Sequence, residues 1–242
     1  MYKNKTITAI ANFLSAVLIF MLIYRSLEGA INGVDGIHSA FAPRGVEQTV
    51  IIDAGHGGED VGAIGVCEIY EKDLNMQISE KLGEYLNAAG FRVIYTRTED
   101  RLLYTDEQNI KGMRKIYDLK NRMAIANAYT NAIFISIHMN FYGHPSCSGL
   151  QVYHAFDSDS KLLADAIQLS VKNTLQPTNK RTIKEGKDIY VLENCNLPAI
   201  LIECGFISNP EECKKLSEKE YQKELCFSIL CGIIEYEKNR TR

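Results

Sequence analysis

"TVIIDAGHGGED", residues 49–60, decides how the chain is read. An apolar, β-branched run from Thr49 to Ile52 reaches Asp53, and then three glycines (Gly55, Gly57 and Gly58) surround a single histidine, His56. A short apolar run of this kind that stops at glycines reads as a buried strand emptying into a tight loop. Three uses remain open for that loop: a strand-to-helix turn, a cradle for phosphate, or a means of bringing His56 to a metal. Neither the G-x-x-x-x-G-K-[ST] nor the G-x-G-x-x-G spacing of nucleotide-binding loops is present.

Outward from this stretch the pattern alternates. Leu74, Ile78, Leu82 and Leu86 recur every four residues and Gly90 follows, as in an amphipathic helix with a glycine C-cap. Strand-like runs follow at "FRVIYTR", "AIFISIH", "GLQVYHA" and "AILIECG", with helical patterns over residues 119–129, 160–175 and 221–238 between or after them. Strands alternating with helices predict one α/β domain, residues 47–240, with a mostly parallel twisted sheet flanked by helices. Residues 98–117 are polar without periodicity and read as a long functional loop.

The amino terminus differs. Lys3 and Lys5 precede an uncharged stretch over residues 7–24, which as a helix would extend roughly 27 Å, close to the ~30 Å hydrocarbon core of a bilayer. No A-x-A site closely follows it, so a signal-anchor over residues 1–25 is favoured over a cleaved signal peptide, which would leave the protein secreted. The basic flank orients everything after Arg25 outside the cytoplasmic membrane. Residues 26–46, glycine-rich and containing Pro43, read as a linker.

A net charge of −3 without a basic cluster argues against nucleic acid as a partner. Seven cysteines, an odd number without C-x-x-C spacing, leave at least one outside any intrachain pair and suggest a weakly oxidising surrounding.

Ligands of open parallel sheets bind beyond the carboxyl ends of the strands. There the sequence places His56, His138 at the end of "AIFISIH" and Glu203 in "AILIECG", with Glu71 at the entrance of the first helix. Two histidines and two carboxylates suit zinc better than calcium or magnesium, which want more oxygens. Glu203 is the most telling of the four, because an ionised carboxylate within an apolar strand is costly unless it is paired or working. Strand alternation turns Cys204 to the opposite face and argues against it as a nucleophile. His38, His144 and His154 lack a partner pattern and read as structural or solvated.

Taken together, "IIDAGHGG", "YEKDLN", "FRVIYTR", "DLKNRMAIAN", "FISIHMN", "SGLQVYH" and "AILIECGFISNPEE" resemble, in order and spacing, the zinc-dependent N-acetylmuramoyl-L-alanine amidases, from Thr49 to about Tyr236. Ala54 stands where that family often has proline. The resemblance implies a six-stranded sheet, one Zn2+ held by His56, Glu71 and His138, and Glu203 as catalytic glutamate, with Glu68 a poorer match than Glu71. Arg122, Asn127 and Asn140 match family positions and are expected to be structural or substrate-orienting, with Arg122 and Asn140 as substrate-binding candidates. The implied reaction is hydrolysis of the amide joining the muramic acid lactyl group to L-alanine in peptidoglycan. The anchor and the lone catalytic domain look most like the sporulation-specific, spore-cortex type, which prepares muramic-δ-lactam in the intermembrane space of the forespore. Without a wall-binding module, engagement of the substrate is expected to depend on the membrane tether or on an activating or targeting protein. A vegetative wall amidase, an inactive peptidoglycan-binding protein and a zinc peptidase that cuts within the stem peptide are the alternatives.

Overall fold

The computed structural model describes residues 48–240, so the expected anchor (residues 1–25) and linker (residues 26–46) lie outside the described residues. The chain runs β1 (Thr49–Ala54), α1 (Glu71–Ala88), β2 (Arg92–Tyr95), α2 (Arg114–Asn127), β3 (Ala132–Asn140), β4 (Gln151–His154), α3 (Ser158–Thr174), β5 (Lys184–Glu185), α4 (Tyr190–Glu193), β6 (Ala199–Phe206), α5 (Pro210–Ser217) and α6 (Lys219–Arg240). No described helix is long and apolar enough to cross a membrane.

Six strands form one sheet in the order β2-β1-β3-β6-β4-β5, and every pairing is parallel except β4 with β6. Strand alternation divides the core between its two faces. Val50 and Ile52 pack with Leu74, Ile78, Leu82 and Leu86 of α1 and with the apolar sides of α3 and α6. Each such fully buried aliphatic side chain stabilises the fold by about 1.5–3 kcal/mol relative to exposure. On the opposite face Ile51 packs with Met123 and Ala126 of α2, Phe134, Leu201 and Leu192 of α4. Both faces are covered, which is why β1, β3 and β6 read as nearly continuous apolar runs.

All five strands and four long helices expected from the sequence are present, with shifted ends. Helix α2 begins at Arg114, within the stretch read as loop, because its first turn is polar or exposed and carries no apolar period. β5, α4 and α5 escaped the sequence reading, being two, four and eight residues long, too short for a period to register. Helix α5 did leave a local signal: Asn209 caps it, accepting from the backbone N–H of Glu211 and Glu212, with Pro210 in the first turn.

Candidate zinc-hydrolase site

His56, Glu71 and His138 converge at the carboxyl end of the parallel strands. β1 and β3 pair in register up to Ala54 and Ile137, so the loop after β1 and the end of β3 leave the sheet side by side. Gly55 lies under the His138 ring: a Cβ there would sit 2.2 Å from His138 Nε2, so this position requires glycine. Gly62, at φ +69°, passes equally close to Glu71 and His56. His56 itself adopts the left-handed conformation, φ 61°, a conformation uncommon for a non-glycine residue. Arg122 Nη2 donates to the His56 carbonyl, and Gly57 and Asp60 exchange backbone hydrogen bonds, which together hold that turn.

Glu71, at the first position of α1, is the hub. Its Oε1 lies 2.9 Å from His138 Nδ1 and 3.2 Å from His56 Nε2, and its Oε2 accepts from the Ala63 N–H. The two imidazole rings meet edge to face with centroids 5.0 Å apart. One nitrogen or oxygen from each of the three residues lies within 4.8 Å of the others. Burial alone would raise the Glu71 carboxyl, but the two histidines outweigh it and hold the group well below the usual range. Burial would likewise lower His56, yet Asp60 and Glu71 raise it to about 9. A site that favours positive charge this strongly, built from two imidazoles and one carboxylate, has the donor set of a catalytic zinc centre with positions left open.

Glu203 stands one strand away, in register with His138. It shares the His138 face of the sheet, and Cys204 points into the opposite core, as alternation demands. Its Oε2 is buried and has no hydrogen-bond partner among the described residues. Burial is the main cause that lifts its pKa to about 7, reinforced by Glu71 and opposed by His138 and His56. A carboxyl poised near neutrality beside a cation site suits a group that takes up and releases a proton. A cavity of about 260 Å³, lined by His56, Asp60, Lys115, His138 and Tyr190 among others, opens over the cluster.

The remaining expected residues separate by burial. Arg122 is 1% exposed, and its donors go to Asp53, Asp118 and the carbonyls of Ala54 and His56. Of the two roles expected for it, this geometry supports the structural one, since Nε, both donors of Nη1 and one donor of Nη2 are spent on buried carboxylates and backbone carbonyls. Asn127 is likewise engaged, donating to the Asn194 carbonyl and accepting from the Asn196 N–H. Asn140, half-buried at the end of β3, holds the Ile207 N–H with its carbonyl, after a register shift that separates it from His138. Glu68 lies outside the cluster, in the turn before α1, and His154 is buried with Nδ1 donating to the Ala155 carbonyl.

Three supports went unread in the sequence. Asp60 Oδ2 lies 2.9 Å from His56 Nδ1 and 2.9 Å from Lys115 Nζ; its only sequence signal was an acidic residue four positions after the histidine. Buried Arg97 donates to the carbonyls of Ala54, Gly55 and Lys72 and so braces the glycine loop from β2. Cys67 and Cys213 form a disulfide that ties the loop before Glu71 to α5, and the other five cysteines are free.

The family model for N-acetylmuramoyl-L-alanine amidase matches residues 50–235. The germination-specific N-acetylmuramoyl-L-alanine amidase of Bacillus subtilis (strain 168) is 34% identical over 188 residues, 77% of this chain and 78% of that protein. Among solved structures, the CwlD amidase from Clostridioides difficile in complex with the GerS lipoprotein is 39% identical with a TM-score of 0.76, covering 79% of this chain and 99% of that one. An N-acetylmuramoyl-L-alanine amidase from Clostridium difficile 630 is 32% identical with a TM-score of 0.70, covering 80% and 98%. By its matched length and by these identities, the chain belongs to the N-acetylmuramoyl-L-alanine amidase family.

Proposed function

We propose that His56, Glu71 and His138 hold one zinc ion and that Glu203 is the catalytic acid and base for hydrolysis of the amide between N-acetylmuramic acid and L-alanine. The observation that carries this reading is the convergence of the three donors at one strand rim with an unpartnered buried carboxylate oxygen, Glu203 Oε2, one strand away. Zinc, when bound, supplies acidification of water and polarisation of the amide carbonyl. Glu203 takes the proton of the attacking water and returns it to the departing alanine nitrogen, an exchange suited to a carboxyl poised near neutrality. Asp60 fixes the His56 tautomer by accepting from Nδ1, so that Nε2 faces Glu71. Asn140 orients the substrate, and Arg122 holds the loop that carries His56.

The biological setting we infer is removal of stem peptides from spore-cortex peptidoglycan. It is supported by the likeness to a germination-specific amidase and to CwlD. The site would then work outside the cytoplasmic membrane, tethered through residues 1–25, and the Cys67–Cys213 disulfide accords with an oxidising compartment. Because the CwlD relative was solved with the GerS lipoprotein, a helper protein is part of this reading.

Incubating the chain with purified peptidoglycan, with and without zinc, and analysing products by mass spectrometry tests the chemistry. Free stem peptides and peptide-free muramic acid are expected only with zinc. Cleavage within the stem peptide, leaving the muramoyl linkage intact, would refute it.

A further inference from the structure

Arg181 is a half-buried guanidinium with no carboxylate within ion-pairing distance among the described residues. Its Nε donates to the Ser148 carbonyl at 2.8 Å and its Nη1 to Gln151 Oε1 at 3.1 Å. The plane of the group packs over Phe206, with Cζ 4.2 Å from the ring centroid. Three contacts therefore fix the fork while Nη2 keeps its donors. The nearby acid Glu212 feels its charge but forms no direct ion pair with it: the Glu212 oxygens accept from the backbone N–H groups of Gly149 and Phe206. A guanidinium held this rigidly, with Nη2 in contact with no carboxylate, is organised for an anion from outside.

Its position says which anion. Gln151 is in register with Glu203, which is in register with His138. Because β4 runs antiparallel to β6, the start of β4 lies at the same rim as the zinc ligands. With strands ~4.8 Å apart, Gln151, which accepts from Arg181, stands roughly 10 Å along the rim from His138. An extended peptide advances at most ~3.6 Å per residue, so the residue after alanine comes within reach of that distance from the scissile carbonyl. Arg181 also lines a cleft of about 660 Å³ together with Ser148, Gly149 and Asn179.

We propose that Arg181 receives the α-carboxylate of the second stem-peptide residue, a D-glutamate joined onward through its γ-carboxyl. The chain thereby distinguishes stems in which this carboxylate is free from stems in which it is amidated. The inference rests on the amidase reading above, deepening it from the bond cleaved to the peptide recognised.

The test compares two ligands differing in one charge: N-acetylmuramoyl-L-alanyl-D-glutamate γ-methylamide with its α-carboxylate free or converted to the primary amide. Binding is measured by calorimetry on the zinc-loaded full chain carrying Glu203→Gln, and turnover on the chain with Glu203 intact. The free acid should bind about tenfold more tightly than the amide, the scale of one charge-assisted contact. Arg181→Gln should erase that preference by raising Kd and KM for the acid, and Arg181→Lys should retain part of it. An unchanged acid-to-amide ratio in Arg181→Gln, or an equal loss of both ligands at unaltered Tm, would overturn the inference and leave Arg181 a latch for β4. Preferential binding without turnover would instead keep Arg181 and refute the catalytic reading.

Discussion

His56 Nδ1 donates to Asp60 Oδ2 at 2.9 Å, and this hydrogen bond leaves Nε2 facing Glu71 Oε1. The same Asp60 oxygen is 2.9 Å from Lys115, so the carboxylate is charged and fixed. Asp60→Ala is expected to weaken zinc binding by about 10–100-fold without unfolding the domain. Competition with a chromogenic chelator measures this; unchanged affinity would remove Asp60 from the site's support.

Arg122 carries the opposite kind of prediction. It is 1% exposed and joins Asp53 and Asp118, each within 2.8 Å. Burial alone would raise Asp53, but the Arg122 guanidinium and the Thr96 and Ser136 hydroxyls hold it below its ordinary value. Arg122→Ala strands two buried carboxylates and should cost about 3–5 kcal/mol, read as a lower urea midpoint. A loss of kcat with unchanged stability would instead mark Arg122 as a substrate group.

Glu203→Gln should lower kcat by about 10²–10⁴-fold while zinc stoichiometry stays at one. In the parent enzyme kcat/KM should rise with pH as Glu203 ionises, with a limb at or below about pH 7, since burial raises the group and a bound cation opposes that rise. Metal analysis and a pH-rate profile are the readouts. Retained turnover in the variant would exclude Glu203 as the base.

The same residue makes stability depend on pH in the chelated protein. Its folded pKa is raised from 4.5 to about 7, so below pH 4.5 both states are protonated and nothing is lost. Between these values the unfolded chain ionises first, and stability falls until about pH 7. Glu203→Gln removes that loss and should stabilise the fold at pH 8 by an amount on the order of 1–3 kcal/mol, read as a higher Tm, but hardly at all at pH 4.5. Equal Tm changes at both pH values would contradict the assignment.

The Cys67–Cys213 bond closes a span of 146 residues. Its reduction, or Cys67→Ser, should lower stability by about 2–4 kcal/mol and loosen the loop before Glu71. Thermal melts with and without reductant, and zinc affinity in the same samples, check both effects. Identical melts would mean that the bond contributes nothing to the fold.

How much of this was legible beforehand follows from which interactions are local. Period-four leucines along α1 and unbroken apolar runs at β1, β3 and β6 announce their own structure, because burial on one face or on two imposes those patterns within a single segment. His56, His138 and Glu203 could be placed at strand ends for the same reason, and Glu71 at a helix start. Asp60, Arg97 and the disulfide were not legible, since each acts across segments whose approach no local pattern encodes. Arg122 shows the limit most clearly. A lone arginine on a helix can face solvent, substrate or a buried acid, and only the 69-residue return that sets it against Asp53 decides among them. The sequence by itself determined the strand-helix alternation and the residue types at the rim, whereas tertiary structure decided which carboxylate holds a histidine, which stays unpaired, and which guanidinium is left for a ligand. The physical reason is that burial and charge pairing are properties of a three-dimensional neighbourhood, whereas periodicity is a property of the chain alone.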